Sequence, residues 1–133
     1  YGYDCFADDT GLEVDFLNGR PGVHSKRFAG ENSTDELNMK KLLECMEESK
    51  NRNARFRTVI ALNINNQVIT FTGVCEGEIL KQRKGNNGFG YDPIFLPKGY
   101  NNSFGEMSII EKNEIAHRSK AVKKLINYLN KFC

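Results

Sequence analysis

An α/β fold is what this chain of 133 residues predicts, because segments of strand periodicity alternate with segments of helical periodicity and no linker interrupts them. Three observations carry that prediction. From Phe56 to Ile64 the even positions Phe56, Thr58, Ile60, Leu62 and Ile64 alternate with Arg57, Val59, Ala61 and Asn63, the period of a strand covered at least in part on both faces. Met39, Leu42, Leu43 and Met46 fall at i, i+3, i+4 and i+7, one apolar stripe of a helix. Val122, Leu125, Ile126 and Leu129 repeat that spacing near the carboxyl end, with lysines turned outward.

The elements follow in order. Extended pieces around Cys5 to Ala7 and Leu12 to Phe16 flank Asp8-Asp9-Thr10-Gly11, where glycine allows a tight change of direction, so the acidic pair is expected at a strand end. After the Arg20-Pro21-Gly22 turn, residues 22–28 suit a short helix. Ser33-Thr34-Asp35-Glu36 supplies a capping box for a helix of about fifteen residues. Asn65-Asn66 suits a two-residue hairpin, since asparagine tolerates positive φ. The returning arm runs from about Gln67 to Cys75, with Ile79 and Leu80 as candidates to extend it. Lys81-Gln82-Arg83-Lys84 then leads into the glycine-rich loop from Gly85 to Gly90 and a strand over Pro93 to Leu96. Ser108-Ile109-Ile110-Glu111 is a second capping box before a short helix, and the last helix covers about Arg118 to Lys131.

Composition narrows the function classes. The length suits one domain over residues 1–133 that buries roughly two thirds of its unfolded surface. With 39% hydrophobic and 27% charged residues it has the make-up of a soluble domain, and no apolar run approaches the roughly 18 residues of a membrane span. Nineteen basic against seventeen acidic residues give a net charge of +2, too balanced for a dedicated nucleic-acid binder. The four cysteines, Cys5, Cys45, Cys75 and Cys133, form no Cys-x-x-Cys pair and suit a reducing cytoplasm. The chain opens at Tyr1 without methionine and enters apolar sequence at once, which reads as a fragment.

Several clusters carry chemistry. Asp8 and Asp9 offer hard oxygen to a divalent cation if the backbone turns there, and otherwise form an Asx-type turn or a helix-capping acid. In Gly88-Phe89-Gly90-Tyr91-Asp92, the loop either presents Phe89 to stack on a base or is simply mobile, Phe89 equally suits the core, and Asp92 among apolar neighbours needs a partner if buried. Lys112, His117 and Arg118 converge across one turn, or else form a solvated basic surface. A convergent Arg118, a donor with no acceptor, favours a 6-oxo purine over a 6-amino one.

The segments Phe6 to Asp15, Pro21 to Gly30, Gly88 to Phe95, and Glu111-Lys112-Asn113 through His117-Arg118 resemble the noncanonical purine nucleoside triphosphate pyrophosphatases, the Ham1-like inosine/xanthosine triphosphatases. The resemblance covers nearly the whole chain. It implies a mixed, twisted central sheet flanked by helices in two lobes around a cleft, and hydrolysis of ITP, dITP or XTP to monophosphate and pyrophosphate. By matching motif it implies Asp9 as proton acceptor, Asp9 and Asp8 as Mg²⁺ ligands, and Thr10, Phe89, Gly90, Tyr91, Asp92, Lys112, His117 and Arg118 as nucleotide-binding residues. It further implies a cytoplasmic homodimer acting on a nucleotide, with neither nucleic acid nor membrane as partner. Family members carry a strand, a phosphate-cradling loop and a helix ahead of the point that matches Tyr1, so little activity is expected of this polypeptide alone. The rivals are a binding module that holds a nucleotide without cleaving it, an RNA-contacting domain using Lys81, Arg83 and Lys84, and a Maf-like nucleotide pyrophosphatase.

Overall fold

The computed structural model describes residues 3–64 and 66–131, with side chains from residue 8 onward. Strands β1 (Tyr3–Val14), β2 (Arg20–Gly22), β3 (Asn53–Ile64), β4 (Gln67–Ile79) and β5 (Phe95–Pro97) form one sheet in the order β2-β1-β3-β4-β5. Helices α1 (Asp35–Cys45), α2 (Ile109–Ile115) and α3 (His117–Asn130) complete the α/β fold. All four strand pairings among the described residues are antiparallel, where a mixed sheet was expected.

One face of the sheet carries both apolar clusters. Leu12, Val14, Phe56, Cys75 and Ile79 pack with Met39 and Leu42 of α1, with Met46 at its carboxyl cap, and with Ile94, Phe95 and Phe104. Farther along the strands, Ile60, Leu62 and Phe71 pack with Ala121 and Leu125 of α3. Between the clusters the same face turns polar at Thr10 and Thr58, and the start of α3 lies over this waist. Gly73 makes that approach possible, because a Cβ there would sit 2.0 Å from the His117 carbonyl oxygen. The opposite face is polar. Arg55 pairs there with Asp15 at 2.8 Å and Glu76 at 3.0 Å, and Arg57 with Glu13 at 3.0 Å.

The structure corrects several expectations. The acidic pair lies in mid-strand, since Asp8 to Gly11 pair in register with Ile60 to Arg57 inside one continuous β1. Gly11 serves close approach instead of a turn, because a Cβ there would lie 2.4 Å from the Gly22 carbonyl oxygen. Helix α1 spans 11 residues, and its cap is Thr34, whose hydroxyl accepts from the Leu37 amide at 3.2 Å. Ser33 instead donates to the Lys26 carbonyl at 2.8 Å. Residues 92–94 form a 3₁₀ turn, and the strand expected from Pro93 begins at Phe95. On α3, Ala121 and Leu125 face the sheet while Val122 and Ile126 are exposed, because the close approach over Gly73 requires the smallest side chain. The capping box at Ser108 and Glu111 is present as expected, and so is the left-handed Asn66 at φ 64°. Asn65, its predicted turn partner, lies outside the described residues, as do Cys133 and the Cys5 side chain.

Candidate active site

A cleft of about 430 Å³ opens between α1, the loop preceding β5 and the α2–α3 junction. Its lining includes Thr10, Phe89, Gly90, Tyr91, Asp92, Lys112, His117 and Arg118, so every substrate-binding residue expected from the sequence borders one space. Local structure explains each position. The capping box starts α2 so that Lys112 reaches inward, and Ala116 breaks the helix so that His117 and Arg118 open α3 above the sheet.

The Lys112–Asp92 pair organises one end. Asp92 is buried and accepts from Lys112 Nζ at 2.6 Å and from the Phe89 amide at 3.1 Å. Burial raises the Asp92 carboxyl above its ordinary range, and the hydrogen bond from Lys112 opposes that shift. Lys112 Nζ also lies 4.5 Å from the centre of the Phe89 ring, which is 68% exposed. The loop is tied down on both sides: the Gly90 amide donates to Asp35 at 2.9 Å, and the Tyr91 hydroxyl donates to the Ser25 carbonyl at 2.6 Å.

His117 is buried in the floor. Its ring stacks on Phe56 at 4.7 Å with 16° between planes, and Nδ1 has no hydrogen-bond partner among the described residues. Burial, with Lys112, Arg118 and Lys120 nearby, pushes its pKa down to about 4, so the ring is neutral at pH 7.

Hydroxyls and a guanidinium meet at the other end. Arg118 Nη1 donates to Asp8 at 2.5 Å and Nη2 to Thr10 Oγ1 at 3.2 Å. Thr10 donates to Asp8 at 3.3 Å and lies 2.9 Å from the Thr58 hydroxyl. A second cavity of about 310 Å³, lined by Asp8, Asp9 and His24, shares Thr10, Lys26 and Arg118 with the first. Asp8 and Asp9 are successive residues of one continuous strand, so their side chains leave it on opposite sides although both residues border this cavity, and the Asp9 carboxylate carries no hydrogen bond or ion pair among the described residues. The turn that would aim both acids at one cation is therefore absent, and Asp8 is neutralised by Arg118. Among the described residues no group of three or more acidic, histidine or cysteine side chains is placed to hold a metal ion. What fits a hard cation here is one free carboxylate, which suffices for Mg²⁺ only where phosphate oxygens and water complete the shell.

Sequence reasoning missed Ser25, Asp35, Phe56 and Thr58 as parts of the site. It also left the basic run at residues 81–84 open, of which Arg83 is bonded to Glu36 on α1.

A family model described as the Ham1 family matches residues 1–128. A Christiangramia forsetii protein named dITP/XTP pyrophosphatase is 57% identical over 131 residues, a match covering 98% of this chain and 69% of that protein. A Flavobacterium psychrophilum protein of the same name is 58% identical over 128 residues, covering 96% of this chain and 67% of that one. The solved structure of the Staphylococcus aureus Ham1 protein matches at a TM-score of 0.93 and 40% identity, covering 96% of this chain and 67% of that one. The chain thus spans about two thirds of the length of these proteins.

Proposed function

The chain belongs to the Ham1 family, and on that premise we propose that it hydrolyses noncanonical purine nucleoside triphosphates, dITP and XTP with ITP, to the monophosphate and pyrophosphate. One observation carries this reading: a cleft with an exposed aromatic and fixed cations shares Thr10, Lys26 and Arg118 with a neighbouring cavity that Asp9 borders.

The residues divide the work. Lys112 lies against one face of the Phe89 ring and leaves the other to stack on a base. Arg118 spends two of its five N–H donors on Asp8 and Thr10, and the remaining three match a 6-oxo acceptor while opposing a 6-amino donor. Neutral His117 offers one donor and one acceptor without the cost of desolvating a charge. Asp9 takes the proton of a water attacking the α-phosphorus, so the P–O bond to the β-phosphate breaks and pyrophosphate leaves. Mg²⁺ would be held by Asp9 with phosphate oxygens, and when bound it neutralises the charge developing on the leaving group. Asp8, committed to Arg118, acts as a positioning residue. A cytoplasmic setting and a homodimer belong to the same proposal, and sedimentation of the full-length protein at twice its chain mass is the expected result.

Pyrophosphate release by the full-length protein tests the reading. ITP and XTP are expected to outcompete ATP in kcat/KM, and Asp9→Asn to lower kcat by about 10²–10⁴-fold. Because Asp9 is exposed and has no partner among the described residues, the stability of that variant should change by less than about 0.5 kcal/mol. Equal use of ATP and ITP, or undiminished turnover by Asp9→Asn, would overturn it.

A further inference from the structure

Thr58 has no ordinary reason to be a hydroxyl. It sits at 0% exposure on β3, between Phe56 of one apolar cluster and Ile60 of the other, where valine would fill the same space. Its side-chain partner among the described residues is Thr10, at 2.9 Å. Hydrogen-bond accounting fixes the direction of that contact. Thr10 has one O–H and spends it on Asp8, which as a carboxylate only accepts. Thr58 must therefore donate to Thr10, whose second lone pair takes the N–H of Arg118. Removing the Thr58 donor frees Thr10 to rotate, and Arg118 then loses one of the two contacts that orient it.

We propose that Thr58 is a specificity-determining positioning residue: it fixes the Thr10 rotamer, and through it the plane in which the Arg118 guanidinium faces the 6-position of the purine. This rests on the reading that Arg118 meets the base. Thr58 itself touches no substrate, since it does not line the cleft.

The experiment compares kcat/KM for ITP with that for ATP in the full-length wild-type protein and in Thr58→Val and Thr58→Ser, with melting temperatures measured alongside. Thr58→Val is expected to lower the ITP-to-ATP ratio by about three- to tenfold, the worth of one hydrogen bond, and Thr58→Ser to restore it within about twofold. A general structural defect slows both substrates together and leaves the ratio alone. Should Thr58→Val fail to fold, Thr58→Cys keeps the volume with a much weaker donor, and the same fall in ratio is expected. An unchanged ratio in the folded variant, or a fall that serine does not repair, overturns the inference while the functional reading stands. A wild-type protein that does not prefer ITP overturns that reading and this inference with it.

Discussion

The two ends of the cleft are built on opposite principles. At the Asp92 end the central ion pair is largely buried: Lys112 and Asp92 have side chains only 12% and 4% exposed, and the loop around them is pinned to α1 and to the β2–α1 connection. At the Asp9 end the carboxylates stand in water on a strand, one paired with Arg118 and one free. Recognition of a planar base gains from groups that need no reorganisation on binding, whereas a proton acceptor must keep an accessible lone pair for water. Loss of the ion pair at the first end should therefore register in stability, and loss of the Asp9 carboxylate at the second mainly in turnover.

The largest test of that contrast is Lys112→Met. It leaves the Asp92 carboxylate buried without its cation, a situation that typically costs about 4 kcal/mol. Urea unfolding should show that loss, while the double variant Lys112→Met with Asp92→Leu should recover much of it, since a buried pair replaced by apolar groups is often near neutral. A single variant as stable as the wild type would show that water already reaches Asp92, and the contrast between the ends would fail.

The effect of pH comes next. The folded-state pKa of His117 is near 4 against an ordinary 6.5, so between those values the unfolded chain binds a proton that the folded one excludes. The stability contributed by keeping the ring neutral is complete above pH 6.5 and is lost as pH falls toward 4, by about 3 kcal/mol at most. Asp92, with a raised carboxyl pKa, works in the opposite sense at the acid end of the window. His117→Phe, which keeps the stack on Phe56, should flatten the slope of unfolding free energy against pH between 4 and 6.5.

How much of this was legible in the chain depends on how far each residue's partner lies along it. The β3 alternation was readable because helices cover only the face that carries its even residues, so burial follows the period. Lys112, His117 and Arg118 were readable because one turn separates them and α2 and α3 are locally encoded. The roles of Thr58, Asp35 and Ser25 arise from partners 48, 55 and 66 positions away, and no local pattern marks them. The stripe of α3 misled for a related reason: counting large apolar residues overlooks Ala121, chosen by a glycine on β4, three elements earlier. Gly11 read as a turn, although what demands glycine there is the Gly22 carbonyl on a neighbouring strand.

The smallest predicted effect sharpens the comparison most, because it separates recognition from stability at the buried end itself. Phe89 is the one member of that end left 68% exposed, with Lys112 Nζ 4.5 Å from its ring centre. Phe89→Leu keeps an apolar side chain and the loop's backbone bonds to Asp92 and Asp35, which involve the amides of residues 89 and 90. Losing the flat ring should weaken ITP binding by about 2 kcal/mol, roughly thirtyfold, and change unfolding free energy by less than about 0.5 kcal/mol. Titration calorimetry with ITP and urea unfolding measure the two quantities on the same sample. A variant that binds ITP as tightly as the wild type would place the base elsewhere in the cleft, since an aromatic that merely closes the loop would have shown its effect in stability instead.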